Sequence, residues 1–294
     1  MSWPRPSWRD HEDRPVEVPA PPGPDAPAFY GPIGDFQGAE YRRNAFAAGT
    51  AEEVALLRRL TGLRSGARVL DVGCGDARHL RALAADGVHG TGVDVSPGLI
   101  EAGRAAARAE GVEVELLVGD ARHLDGVLGD RPVEASRDDG GRVGGLPRER
   151  VPGGGAGGFD VVWSLCQGAL GTSPQADPEV VAGIARAVAP GGLVVMTVFH
   201  ALFAARHLAP GDAFDPVHVT HHQISEVHGP DHQRRRFDLW TAAYTVREAG
   251  RLVADAGLEL LGVRGVEPGA YGRREDGEVG LDDPELLLLA RRPA

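Results

Sequence analysis

The sequence predicts an α/β protein: a doubly wound, mostly parallel sheet with helices on both faces. Three observations predict it. Residues Val69 to His79 read as a buried strand ending in an acid, then a glycine turn, then the first turn of a helix. Short apolar strands go on to alternate with capped helices as far as residue 199. After that the alternation stops, giving way to a hairpin and a final strand, Glu285 to Ala290, apolar enough for the sheet interior.

Each element has a local cause. Residues 1 to about 37 are proline-rich and without periodicity, so a disordered tail is expected, followed by a domain over 38–294. Thr50-x-x-Glu53 reads as a capping box opening a helix to about Thr61, with Val54, Leu56, Leu57 and Leu60 as its apolar face. Strand one is 68–72, and a helix from about Asp76 ends at Gly87. Strand two is 89–94. Ser96 then caps a helix that Pro97 starts and Gly111 closes. Strands three and four are 113–118 and 159–164. Between them, residues 126–158 hold a glycine run and few large apolar side chains; a segment unable to bury a core is expected to be disordered. Asp177-Pro178 starts another helix, Pro190-Gly191-Gly192 closes it, and strand five is 193–199. Residues 217–227 and 234–244, joined through Gly229-Pro230-Asp231, form the hairpin of an inserted roof over 201–244. Thr245-x-x-Glu248 caps a helix ending at Gly257, and strands 258–265 and 285–290 complete the fold.

Composition narrows the function. A chain of 294 residues suffices for one large domain. Its net charge of −11 argues against a nucleic-acid footprint, which needs a basic face. Two cysteines make no disulfide framework and point to a reducing compartment. No apolar run is long enough for a membrane span, and the N-terminus has no apolar signal core. These features predict a cytoplasmic protein with a small-molecule partner and neither a nucleic-acid nor a membrane partner.

Gly73 and Gly75, two residues apart after the first strand, let a ligand lie against bare backbone. A dinucleotide fingerprint requires a third glycine at 78, where Arg78 stands, which disfavours a nicotinamide dehydrogenase. Asp71-x-Gly73-x-Gly75 after a strand resembles motif I of the class I S-adenosylmethionine (SAM) dependent methyltransferases. The resemblance implies SAM as cofactor. It also implies a seven-stranded sheet in the order 3-2-1-4-5-7-6, with the last strand antiparallel.

SAM presents a cationic amino group, a ribose diol, an adenine amine and a carboxylate. Its partners are therefore acids and backbone donors converging at the carboxyl ends of the central strands. Asp71, Asp94 and Asp120 stand at three such ends. Asp94 lies 19 residues beyond Gly75, near the spacing at which an acid reaches ribose hydroxyls. The resemblance implies that Asp71 faces the methionine amino group and that Asp120, with Ala121, meets the adenine amine. Gly73, Cys74, Gly75, Val95 and Leu165 complete the core of the candidate cofactor set. Upstream, Tyr41-Arg42-Arg43 and Ala48 to Val54 resemble the helix that closes over SAM in small-molecule methyltransferases, which adds Tyr41 and Arg42. Arg42 or Arg43 either pairs with the cofactor carboxylate or stands solvated.

Strand four bears on the acceptor. Amino methyltransferases of nucleic-acid bases carry Asn or Asp followed by Pro-Pro and an aromatic residue here. This chain has Ser164-Leu165-Cys166-Gln167-Gly168, so that reading fails; Cys166 reads as pocket wall and Gln167 as an acceptor contact. Seven of eleven histidines lie within 200–232. His200, directly after strand five, is the candidate base or acceptor contact, and His221 a second contact from the roof. On a strand His218 and His222 share one face and His221 the other, so no metal site is expected. The predicted activity is in-line methyl transfer to a small molecule, where positioning supplies about 7–11 kcal/mol. A base, worth roughly 10²–10⁴-fold, matters only for an acceptor protonated at neutral pH. Two alternatives stand: a SAM-binding protein without catalysis, and an RNA or protein methyltransferase of the same fold.

Overall fold

Strands β1 (Arg68–Val72), β4 (Phe159–Ser164) and β5 (Val188–His200) are apolar on both faces, and both faces are covered. The computed structural model describes residues 30–129, 158–166, 168–172, 174–271 and 278–294. Alternate residues point to opposite sides of the sheet. Leu70, Val72, Val162 and Met196 pack with Ile184 of helix α6 (Asp177–Ala187) and Val253 of α8 (Val246–Asp255). Val69, Val161, Trp163 and Val195 pack on the other face. Their partners there are Leu57 of α2 (Thr50–Thr61), Leu80 of α3 (Arg78–Ala84) and Ile100 of α4 (Pro97–Glu110).

β1 runs parallel to β2 (His89–Asp94) on one side and to β4 on the other, while β2 continues to β3 (Glu115–Val118) and β4 to β5. β5 then pairs antiparallel with β10 (Glu285–Arg291), and β10 with β9 (Glu259–Val266). These seven strands take the expected 3-2-1-4-5-7-6 order. The roof departs from expectation by joining the same sheet. β4 ends at Ser164, opposite Met196, so β5 outruns it and offers a free edge at Phe199 and His200. β8 (Arg234–Tyr244) pairs parallel there, followed by β7 (Thr220–His228) and by β6 (Ala213–Asp215), a strand the sequence pattern did not reveal. Ten strands result. Helix α7 (Ala201–Arg206) links β5 to this extension.

Several local expectations change. Residues 30–37, assigned to the tail, form helix α1 (Tyr30–Gln37), because Asp35 is anchored on α4 through the Ser96 hydroxyl at 2.7 Å and the Gly98 N–H at 2.9 Å. Residues 1–29, the rest of that tail, lie outside the described residues, as do 130–157 of the glycine-rich segment. Its first residues belong to α5 (Leu124–Leu128). α3 starts at Arg78 rather than Asp76, since Ala77 is left-handed at φ 58°. Ser96 and Thr245 cap α4 and α8 as expected. Thr50-x-x-Glu53 forms no capping box. Glu53 is turned inward and used elsewhere.

Candidate functional site

At the carboxyl ends of β1, β2 and β4, Gly73, Asp94, Cys166 and Gly168 line the floor of a cleft of about 810 Å³. Its ceiling comes from the β7–β8 turn, and its side wall from α1 and the turns that follow it. Gly73 and Gly75 both have positive φ, 77° and 56°. The amide N–H groups of Gly73 and Cys74 donate to the Val93 carbonyl, which folds the turn back over β2. A Cβ on Gly73 would meet the Gly168 backbone at 2.2 Å, and one on Gly75 would press on the Tyr41 ring at 3.3 Å.

Asp94 is the hinge of the site. Its carboxylate accepts from the Gly75 N–H at 2.7 Å and the Ser96 N–H at 2.9 Å. Burial outweighs these bonds and raises its pKa to about 6. It borders the large cavity and also a smaller one of about 30 Å³, shared with Val95, Asp120 and Ala121. That smaller space holds about one water molecule. Asp120 is occupied as well: burial would raise its pKa, but its bonds to the Arg122 guanidinium and N–H hold the carboxyl below its usual range. An adenine placed here requires Arg122 or the 168–172 segment to move, so the expected adenine role of Asp120 and Ala121 is not preformed.

Asp71 is fully buried on β1 opposite Trp163. Its Oδ2 has no hydrogen-bond partner among the described residues. Burial pushes its pKa up to about 7, which the Trp163 indole only partly offsets. A buried carboxylate oxygen left unbonded is costly and marks a place for a donor. With the glycine turn and the doubly bordered Asp94, this orphan acceptor fits the cationic amino group and ribose diol of SAM. A SAM bound here would meet Asp94 at the cavity wall, with Asp71 buried behind it.

Other expected residues lie elsewhere. Cys74 is packed into the core, its thiol against Gly92, because the turn points it under β2. Leu165 is likewise core. Arg42 is exposed and paired rather than aimed at the cavity: its Nε bonds Asp76 at 2.8 Å and its Nη2 the Ala102 carbonyl at 3.0 Å. Arg43 reaches the cavity, paired with Glu40. His200 is a correction. It is 2% exposed, bonded through Nδ1 to the Asp283 carbonyl at 3.0 Å, and absent from the cavity wall, because β8 and β10 flank the end of β5. His221 faces away too, bonding Asp212 at 2.9 Å. His218 pairs with Asp215, and His222 stacks on Trp240 at 4.1 Å. Gln167 lies outside the described residues.

The structure brings in residues the pattern did not single out: Tyr30, Glu226, His228, Asp231 and Glu285 line the cavity. Glu285 had a legible signal, an acid leading four leucines. Beneath the wall lies a buried polar cluster. Glu53 accepts from Arg78, from His79 Nε2 at 2.8 Å and from the Gly269 N–H at 2.8 Å. Arg78 also reaches the Cys166 sulfur at 3.2 Å, and the Tyr271 hydroxyl meets the same sulfur at 3.2 Å. Burial raises the Cys166 thiol pKa, so it stays a neutral wall group. Glu53, His79 and Cys166 are close enough to hold a metal, but the Arg78 guanidinium already bonds two of the three.

Sheet order and glycine turn give this chain the fold of the class I SAM-dependent methyltransferases, and SAM is the cofactor of that class. Residues 69–135 match the methyltransferase domain family. A ubiquinone biosynthesis O-methyltransferase from Xylella fastidiosa (strain 9a5c) is 38% identical over 69 residues, 24% of this chain. The match spans 27% of that relative. Among solved structures, the CcbJ methyltransferase from Streptomyces caelestis superposes with a TM-score of 0.61 at 17% identity, over 89% of this chain and 98% of that one. A SAM-dependent methyltransferase from Clostridium acetobutylicum ATCC 824 gives 0.55 at 12% identity, over 84% and 91%. At such identities these likenesses establish the fold.

Proposed function

We propose that this chain transfers the methyl group of SAM to a small-molecule acceptor bound beneath the roof. The observation that carries this reading is the roofed cleft of about 810 Å³, which opens directly onto Gly73 of the glycine turn and Asp94. When bound, SAM supplies an already activated sulfonium methyl. What the protein adds is placement and exclusion of water. Asp94 and Asp71 orient the cofactor. Phe36 of α1 packs on Phe237 with ring centroids 5.9 Å apart, and the Gln37 amide donates to the His228 carbonyl at 3.3 Å, so α1 and the roof close over the acceptor together. His200 is buried and does not line the cavity, so no base role is assigned to it.

The ubiquinone-biosynthesis relative supports a small-molecule acceptor, and a roofed cleft of about 810 Å³ has room for one beside the cofactor. The free thiols Cys74 and Cys166 suit a reducing cytoplasm. No helix among the described residues is long and apolar enough to cross a membrane.

The test is calorimetric titration with SAM and separately with NAD, on wild type, Asp94→Ala and Asp94→Asn. Each lost charge-assisted hydrogen bond costs about 1.5–3 kcal/mol, so affinity for SAM should fall at least ten-fold in both variants. Retained folding is checked by melting. NAD binding without SAM binding refutes the reading.

A further inference from the structure

The chain contains 31 basic residues, all arginine, against 42 acids, yet the cavity wall does not sample this mixture. Glu40, Asp94, Glu226, Asp231 and Glu285 line it, with Arg43, His228 and His232 as its basic side chains among the described residues. The Arg43 guanidinium is already bonded to Glu40, and Glu226 is paired with Arg234 at 3.0 Å, which leaves Asp231 and Glu285, with Asp94, outside both pairs. Cofactor binding accounts for Asp94 and for Asp71 below it, both at the sheet edge. It does not account for Glu226 and Asp231 on the roof or for Glu285 on the far wall. Glu285 is buried, its carboxylate 3.5 Å from the Tyr271 hydroxyl and in register with Phe199 at the end of β5. It thus holds the place at the sheet edge that the sequence pattern gave to His200. The phenol rings of Tyr30 and Tyr41 line the same space, so a cation there would have aromatic as well as carboxylate neighbours.

We propose that this cavity selects an acceptor bearing a protonated amine, with Glu285 as its inner anchor and Glu226 and Asp231 as the roof carboxylates that draw it in. This deepens the methyltransferase reading and rests on it. A low-dielectric cavity walled by carboxylates strengthens attraction for an ammonium group and repels a carboxylate by the same field. Asp231 and Glu226 are exposed, Glu226 sharing its charge with Arg234 3.0 Å away, so the steering is salt-dependent and falls mainly to Asp231, while the buried Glu285 fixes orientation.

The test measures binding without turnover. Protein saturated with S-adenosylhomocysteine is titrated calorimetrically with three matched sets of probes, built on indole, phenol and cyclohexane. Each ring carries ethylamine, ethanol or acetate in turn. In at least one set the amine should bind ten-fold or more tightly than its alcohol, with the acid weakest. The preference should shrink at least five-fold in Glu285→Gln and, because that buried variant risks misfolding, also in the surface pair Glu226→Gln/Asp231→Asn. It should weaken as salt rises. If no set favours the amine, or if the roof pair leaves the preference intact, the proposal is wrong although S-adenosylhomocysteine still binds. If S-adenosylhomocysteine itself does not bind, the methyltransferase reading and this proposal fall together.

Discussion

Replacing Glu53 by alanine removes one carboxylate that three separate donors depend on. Its oxygens accept from Arg78 and His79 of α3 and from the Gly269 N–H, and the residue is 0% exposed. Alanine leaves a buried guanidinium without its main counter-charge, a loss of about 3–5 kcal/mol. The depressed pKa of Glu53 gives a second figure. Burial would raise the Glu53 pKa, but His79 and Arg78 pull it down from 4.5 to about 2, worth roughly 3 kcal/mol at 1.36 kcal/mol per unit. Because the folded value is depressed, this stabilisation is complete above pH 4.5 and disappears as pH falls toward 2.

Urea unfolding at pH 7 should therefore show Glu53→Ala weaker by about 3–5 kcal/mol, a melting shift of roughly 10 °C. The gap to wild type should narrow between pH 5 and pH 3. Glu53→Gln should lose nearly as much, since the shape survives but the charge does not. Had Glu53 served as the capping-box partner of Thr50, the loss would be about 0.5–2 kcal/mol. A loss below about 1 kcal/mol, or a gap unchanged down to pH 3, would falsify the buried-cluster account.

Asp71 carries the opposite sign. Its folded pKa, near 7, lies above the ordinary value of 3.8, so its ionised form burdens the free protein increasingly from pH 4 to pH 7 and fully beyond. Asp71→Asn should melt higher than wild type at pH 8 and show little difference at pH 4 in paired scans without cofactor, while binding SAM more weakly. Arg122→Ala should release Asp120. The broken pair is partly exposed and worth about 0–1 kcal/mol, so calorimetry should find SAM binding up to roughly five-fold tighter. Weaker binding would mean that Arg122 itself touches the cofactor.

Some of this molecule is written within short windows of chain. β1 and β4 run over the residues their largely apolar pattern marks, since a parallel sheet is buried on both faces. Ser96 and Thr245 cap their helices because the groups they satisfy lie three residues away. The positive φ of Gly73 and Gly75 is likewise a local necessity, and it sets the turn on which the site is built.

What a polar side chain does once buried is decided at long range. Glu53 has a capping residue's spacing, yet its bond from the Gly269 N–H crosses 216 positions of sequence. His200 stands at the sheet edge as its position implies, but β8 and β10 flank the end of β5 and Asp283 takes its ring nitrogen. Glu285 reaches the cavity because β10 runs antiparallel to β5, which brings the start of the last strand to the carboxyl edge. Periodicity and caps fix elements through neighbours within a turn or two. Which acids face an open cavity, and which are spent on the protein's own arginines, depends on strand order and register that only the assembled sheet supplies.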